Sequence, residues 1–295
     1  MIAGEDAAQT FERHRRRLTG LAYRMLGSLA EAEDIVQDAY LRWHKADRNT
    51  VADARAYLSS TVARLCLDHL KSARVRREQY VGPWLPEPIV DPSILAPDTA
   101  SELADDLSVA LMMTLERLSP LERAAFILHD VFDMDFDTIA SVLDRNVAAC
   151  RQLAARARAH VHDERPRFNA SPEDAARLSD AFHQAVLSGN VAGLGQMLAA
   201  DAVLYTDGGG KRTAALNPIR GSDKIMRFFA GIAQKGGLST LATFRRLSLN
   251  GLPGFIFVDD EGAIETLALD INDGRIAAIY AVRNPDKLGH LKAMQ

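Results

Sequence analysis

Apolar positions recur at helical spacing through the first half of the chain and at strand spacing near its end. Residues 7–26 read as a helix ending at Gly27. Ser28-Leu-Ala-Glu31 has the capping-box pattern that opens a second helix. In that helix Ala32, Ile35, Val36, Ala39, Tyr40 and Trp43 form the stripe to be buried. Asp34, Gln37, Asp38 and Leu41 repeat the same spacing on another face, an acidic stripe with one Leu that suits either solvent or a partner. A loop over Lys45 to Val51 follows. The third helix runs from about Asp53 into Arg77, with Leu58, Val62, Leu65, Cys66 and His69 on its apolar side. His69 there reads as a core histidine. The last turns carry Lys71, Arg74, Arg76 and Arg77, a cationic end that already suits the helix dipole.

The pattern then breaks at Gly82 to Pro97, GPWLPEPIVDPSILAP, which holds five of the chain's 11 prolines. Proline fixes φ and removes a backbone donor, so the stretch is neither a helix interior nor a central strand. It reads as a semi-rigid connector. Trp84 is out of place in a solvated linker, because Trp is normally covered. Set beside the DGGGK and NPDKL motifs further along the chain, Trp84 and Leu85 are predicted to pack against the domain at the end of the chain; packing on the helices before them is the alternative.

Helical spacing resumes at Leu103, with Leu107, Leu111, Leu115 and Leu118 as one stripe. Ser119-Pro120-Leu-Glu122 caps the next helix. Phe136 to Val161 divides into a short helix (Thr138 to Leu143), a tight turn (Asp144 to Asn146) and a longer helix from Val147. Two helices joined by three residues, the second rich in Arg and small side chains, follow helix-turn-helix logic, although a plain helical hairpin has the same pattern. Arg pairs with guanine and Gln with adenine, so Arg151, Gln152 and Arg156 on the outer face are the candidate base readers. Asp133-Met-Asp135-Phe-Asp137 imitates the start of a calcium loop but lacks its Gly and its final Glu. His160 and His162 have no further ligand nearby in sequence, and no metal site is expected.

After a short linker at Arg165 to Pro172 come two helices, Ser171 to Gly189 and Val191 to Ala199, then a strand at Ala202 to Thr206 and the turn Asp207-Gly-Gly-Gly-Lys211. A helix at Ser222 to Ile232 precedes strand-like runs at 243–249, 254–258, 263–270 and 275–283. Asp260-Glu-Gly262 and Asn272-Asp-Gly274 are hairpin signals. Helices followed by five or six meandering strands predict a curved sheet with helices packed on it. DGGGK is not a Walker A loop, because Arg212 stands where Ser or Thr is required. It serves either as a flexible turn or as a regulatory contact.

Composition adds little until charge is divided along the chain. Residues 1–165 carry 21 Lys and Arg against 26 Asp and Glu; residues 166–295 carry 14 against 13. The total of −4 therefore hides local basic clusters, which decide phosphate contact. With 47% apolar and 25% charged residues, no long apolar run and no secretory h-region, a cytoplasmic protein is expected. Cys66 and Cys150 read as buried thiols rather than a disulfide.

Two stretches carry a resemblance. GSLAEAEDIVQDAYLRWHK with ARAYLSSTVARLCLDHLKSARVRRE resembles domain 2 of an extracytoplasmic-function (ECF) sigma factor. LSPLERAAFILHDVFDMDFDTIASVLDRNVAACRQLAARARAHV resembles domain 4. WLPEP (Trp84 to Pro88), DGGGK and NPDKL (Asn284 to Leu288) resemble the marks of the group with a fused SnoaL-like domain. The resemblance implies a multidomain fold of two all-α domains and an α+β cone: 1–80 as domain 2, 81–104 as linker, 105–165 as domain 4 and 170–295 as the SnoaL-like domain.

It further implies roles. Asp34, Gln37, Asp38 and Leu41 would meet the clamp of core RNA polymerase. Asn49, Arg64, Lys71, Arg74, Arg76 and Arg77 would meet the −10 promoter element, from which a base is unstacked at a cost of about a few kcal/mol. Arg145, Asn146, Ala148, Arg151, Gln152 and Arg156 would meet the −35 element. Trp84, Leu85, Pro86, Asp207, Gly208, Gly209, Gly210, Lys211, Asn284, Pro285, Asp286, Lys287 and Leu288 would regulate, through contact of the SnoaL-like domain with the linker or the sigma domains. Such a protein has no catalytic residues and no cofactor. Two alternatives stay open: a small-molecule sensor, and a pocket enzyme of cyclase or isomerase type drawing on Tyr205, Asp207 and His183.

Overall fold

The computed structural model describes residues 6–77, 80–90, 95, 107–164, 172–188, 190–234, 241–259 and 261–294. They divide into two compact units: a helical one from 1–79 and 92–165, and a sheet-containing one from 80–91 and 166–295. The proline-rich segment read as one linker is thus shared between the two units, its WLPEP half belonging with the sheet.

In the helical unit α1 (Ala7–Leu26) starts at Asp6 and ends on Gly27 at φ 71, where a left-handed residue closes the last turn. Ser28 caps α2 (Leu29–Lys45) by accepting from the Glu31 N–H. The fully buried Trp43 anchors α2 to α1, its indole N–H donating to the Ala7 carbonyl at 2.9 Å. A short 3-10 turn (Arg48–Thr50) leads into α3 (Ala54–Arg77). The described chain resumes with α4 (Val109–Arg117) and α5 (Pro120–Phe126), the latter opened by a complete capping box between Ser119 and Glu122. A π-helical turn (Ile127–Val131) follows. Then come α6 (Phe136–Leu143) and α7 (Val147–Glu164). α6 begins two residues before the predicted Thr138, because the Asp135 carboxylate caps it through the Thr138 N–H and hydroxyl. Asp144 at φ 53 and the Asn146 cap make the tight turn.

In the sheet unit α8 (Pro172–Ser188), α9 (Val191–Met197) and α10 (Ser222–Gln234) accompany one six-stranded sheet. Its strands are β1 (Leu198–Asp207), β2 (Ile219–Arg220), β3 (Leu241–Leu249), β4 (Leu252–Asp259), β5 (Ile264–Asn272) and β6 (Arg275–Val282). The spatial order is β2-β1-β6-β5-β4-β3, with β1 and β6 parallel and all other pairs antiparallel. β1 starts earlier than the expected Ala202: the pattern carries the preceding helix to Ala199, but Leu198 pairs with Ile276. β3 and β4 turn at Asn250-Gly251, both at positive φ, a hairpin dipeptide not singled out in the pattern.

Phe182, Phe229, Phe255, Phe257, Leu204, Leu269 and Ile279 form the core between the helices and one sheet face. Side chains alternate along a strand, so Val203, Tyr205 and Asp207 stand on the opposite face from Leu204. Asp270 and Tyr280 share that opposite face, likewise out of phase with Leu269 and Ile279.

Candidate nucleic-acid interface and linker cradle

Two sets of side chains concern function, one in each unit. In the helical unit Asp34, Gln37, Asp38 and Leu41 are all exposed on α2, Leu41 at 48%, a high value for a large apolar side chain. Asn49 is exposed in the 3-10 turn. Arg64 and Lys71 are exposed on α3; Lys71 pairs with Asp68 at 2.8 Å. Arg74, Arg76 and Arg77 lie in the last turns of α3, and their side chains fall outside the described residues. His69 is not a core histidine: it is partly exposed, with its ring 3.1 Å from the Glu31 carboxylate.

On α7 the inward stripe is Cys150, Leu153, Ala154, Ala157 and Val161. Arg145, Asn146, Ala148, Arg151, Gln152 and Arg156 are exposed. They are not equivalent. Arg156 pairs with Glu122 at 2.9 Å, which, after the Ser119 hydroxyl, helps hold the Glu122 carboxyl below its ordinary range. The Arg151 guanidinium lies 5.6 Å from the Phe136 ring centroid, a cation–π contact that fixes its root on α6. Asn146 caps α7 through the Ala149 N–H, so its side-chain oxygen is engaged. Arg151, Gln152 and Ala148 share the exposed face of α7.

In the sheet unit the linker lies in a cradle of hydrogen bonds. Asp207 is fully buried at the end of β1. Its carboxylate accepts from the Tyr80 hydroxyl (2.5 Å), the Leu85 N–H (2.8 Å) and the Lys287 ammonium (2.7 Å). Lys287, 7% exposed, also donates to the Leu85 carbonyl at 2.5 Å. Its ammonium sits 4.3 Å from the Trp84 ring centroid and 4.8 Å from that of Tyr80. A buried cation is thus matched by one carboxylate, one carbonyl and two aromatic faces, as burial of charge requires. Burial, with the Asp207 carboxylate next, pushes the Tyr80 phenol above its ordinary range and keeps it a donor.

The loops explain the motifs. The Asp207 carbonyl accepts from the N–H groups of Arg283 and Asn284 (2.7 and 2.9 Å), which ties DGGGK to NPDKL. Asn284 caps the 3-10 turn Pro285–Lys287 and donates to the Tyr80 hydroxyl at 2.9 Å. At Gly209 (φ 57) a Cβ would fall 2.2 Å from the Asn284 amide nitrogen, and at Gly208 a Cβ would fall 2.2 Å from the Arg212 carbonyl oxygen. Gly210 completes the turn, and Lys211 pairs with Asp286 on the exposed side. Leu85, Pro86 and Leu288 are buried; Pro285 is exposed.

Two further residues hold the linker. Asn250 exchanges two hydrogen bonds with Ile89, at 3.0 and 2.7 Å. The His290 ring lies 2.8 Å from the Pro88 carbonyl. Tyr80, Asn250 and His290 carried no sequence signal for this role.

The enzyme candidates do not assemble. Asp207 is taken up by the linker, and Tyr205 stacks on Tyr280 at 5.5 Å on the same sheet face. His183 stands on α8 with its ring 3.6 Å from that of Phe244, among the core phenylalanines. The sheet therefore separates His183 from the other two groups.

Comparison with known proteins matches residues 10–76 to the family Sigma-70 region 2 and residues 108–161 to Sigma-70, region 4. The ECF RNA polymerase sigma factor SigJ of Mycobacterium tuberculosis is 39% identical over 289 residues, 94% of this chain and 91% of the relative. The chain is an ECF RNA polymerase sigma factor. A probable ECF sigma factor of the same organism, SigI, is 31% identical to this sigma factor over 297 residues, covering 99% and 98% of the two chains. The crystal structure of SigJ superposes with a TM-score of 0.73 at 36% identity, over 96% of this sigma factor and 98% of that chain. The helical domains and the C-terminal α+β sheet domain are therefore those of a SigJ-like sigma factor. Among its described residues no helix is long and apolar enough to cross a membrane, and no cluster of metal-ligating side chains occurs.

Proposed function

We propose that this sigma factor acts in the cytoplasm as a non-catalytic promoter-specificity subunit, regulated in cis through its linker cradle. Core polymerase docks on the exposed α2 face of Asp34, Gln37, Asp38 and Leu41. Asn49, Arg64, Lys71, Arg74, Arg76 and Arg77 meet the −10 strand. Arg145, Asn146, Ala148, Arg151, Gln152 and Arg156 meet the −35 element, with base reading concentrated on Arg151 and Gln152. The domains divide at 1–80, 81–104, 105–165 and 170–295. Within the linker, WLPEP is the controlled segment.

One observation carries the regulatory reading: the buried Asp207–Lys287 pair closes on Tyr80, Trp84 and Leu85. A pair this deep is costly to leave half-made, about 3–5 kcal/mol when one partner is removed. Through it, DGGGK and NPDKL set whether the linker is seated. The test is run-off transcription with core polymerase, comparing the full chain with Asp207→Asn and Lys287→Ala. The full chain directs initiation at one promoter class, and both variants change transcript yield several-fold from unchanged start sites. Start-site choice indifferent to the protein would overturn the sigma reading; equal yields from all three would overturn control through the cradle.

A further inference from the structure

Beside α7, one aromatic ring serves two other residues. Phe136 opens α6 but stands outside the stripe that packs it: Ile139, Val142 and Leu143 are buried, while Phe136 is only half-buried, unlike Phe126 and Phe132 at 1%. The core therefore does not account for its ring. The His129 ring packs against it with 4.1 Å between centroids, and the Arg151 guanidinium lies 5.6 Å from the same centroid. Main-chain geometry fixes the histidine. The π-helical turn brings the chain back over His129: the Phe132 N–H donates to the Ile127 carbonyl at 3.0 Å, the Met134 N–H to the Leu128 carbonyl at 2.9 Å and the Asp133 N–H to the His129 carbonyl at 3.1 Å. Asp133 takes φ 54, a left-handed conformation that costs a non-glycine residue energy. The turn places the Met134 carbonyl 3.0 Å from His129 Nδ1. A carbonyl oxygen only accepts, so Nδ1 carries the proton and the imidazole is held in one orientation. Arg156 is paired with Glu122, whereas among the described residues no carboxylate pairs with Arg151.

We propose that His129 and Phe136 are positioning residues for base reading by Arg151. The clamped imidazole sets the Phe136 ring, the ring orders the guanidinium, and the guanidinium so ordered reads one guanine of the −35 element. An exposed arginine loses conformational freedom when it binds, and a ring that already orders it removes part of that cost. The hold is made to a ring and not to an acceptor, so it spends no N–H of the guanidinium. The fork that meets guanine O6 and N7 stays available. His129 and Phe136 thus set specificity at a single base pair, acting through Arg151. The inference rests on the −35 reading proposed above.

The experiment is run-off transcription by the full chain with core polymerase. The templates are a promoter that the wild-type chain uses and a set in which each −35 base pair is substituted singly. The readout is the yield ratio between original and substituted promoter. Phe136→Leu keeps an apolar side chain and removes the ring. It is expected to reduce the ratio at least about fivefold at one G·C pair and to leave the ratios at the other pairs within about twofold. Phe136→Tyr keeps the ring and keeps the ratio. His129→Asn retains a donor for the Met134 carbonyl and removes the stack; it reduces the ratio at the same pair by a smaller factor. Arg151→Ala flattens that pair, and adding Phe136→Leu to it changes nothing further, because the ring acts only through the arginine. Thermal unfolding of each variant separates a lost fold from lost reading, and if Phe136→Leu unfolds, the His129→Asn ratios decide. A yield lost uniformly over the set by a folded variant, ratios unchanged in folded Phe136→Leu, or a change at a pair that Arg151→Ala leaves alone would overturn the positioning role. A wild-type chain whose yield ignores every −35 substitution would instead count against the −35 reading beneath it.

Discussion

Asp207 and Lys287 show how a motif residue differs from a merely polar one. The resemblance implies a regulatory role for both, but nothing in their spacing says that an exposed-looking DGGGK turn opens on a fully buried carboxylate. Removing Lys287 leaves that carboxylate facing Tyr80 and Leu85 alone. Lys287→Ala is expected to destabilise the sheet unit by about 3–5 kcal/mol, read as a lower midpoint in thermal unfolding, with faster proteolysis of residues 80–90. Lys211→Ala, which breaks only the exposed pair with Asp286, is expected to cost at most about 1 kcal/mol in the same assay.

Asp270 makes a separate residue-scale case. It is 1% exposed, one carboxylate oxygen has no hydrogen-bond partner, and the Tyr280 hydroxyl serves the carboxyl group. Burial raises its folded pKa to about 6 from 3.8, against which the Tyr280 hydrogen bond is the smaller, opposing effect. Between these values the folded chain holds a proton that the unfolded chain releases, so this group's contribution falls as pH rises from about 4 to about 6, by roughly 3 kcal/mol. Thermal unfolding from pH 4.5 to 8 should show Asp270→Asn gaining on the wild-type chain as pH rises. Equal midpoints across the range would show that the carboxyl is not held neutral.

At the scale of elements, helix α7 separates two kinds of arginine that the outward face of its sequence presents alike. Arg151 is rooted on Phe136 and exposed, and Arg151→Ala is expected to cost about 1–3 kcal/mol at one promoter position if it contacts a base pair bidentately. A loss uniform across promoter variants, with a shallower salt slope, would mark a phosphate contact instead. Arg156 is paired to Glu122, and Arg156→Ala should change binding less. Periodicity could not make this distinction, since it reports which residues face out and not what lies beside them. The helices were legible because their caps and stripes agree: Asp6, Ser28, Ser119 and Asn146 each cap the helix that follows. The early start of β1 was not, because Ala199, Ala200 and Asp201 have little strand preference and lie in the register shift between the Leu198–Ile276 and Val203–Ala278 pairs.

For the whole molecule, the class of each part and the packing of Trp84 and Leu85 on the C-terminal domain were readable from sequence, and the full set of residues that seats the linker was not. Five prolines announce a connector, but whether it is loose depends on residues about 120 to 200 positions later, at Asp207, Asn250, Asn284, Lys287 and His290. No local pattern carries that information. Ending the chain after Arg165 removes these five residues. The shortened protein is expected to differ from the full chain in run-off yield and to be cleaved faster between Tyr80 and Val90; equal yield and equal cleavage would reduce the sheet unit to a passenger.

The reach of the Asp207–Lys287 pair across the sequence has a consequence in time. Translation proceeds at about 5–20 residues per second, and roughly 120 residues separate Arg165 from Lys287. For on the order of 10 s a nascent chain carries both promoter-reading modules on the ribosome before the lysine that seats their linker has been made. Each newly synthesised molecule passes through a stage of its life in which the linker is not yet held.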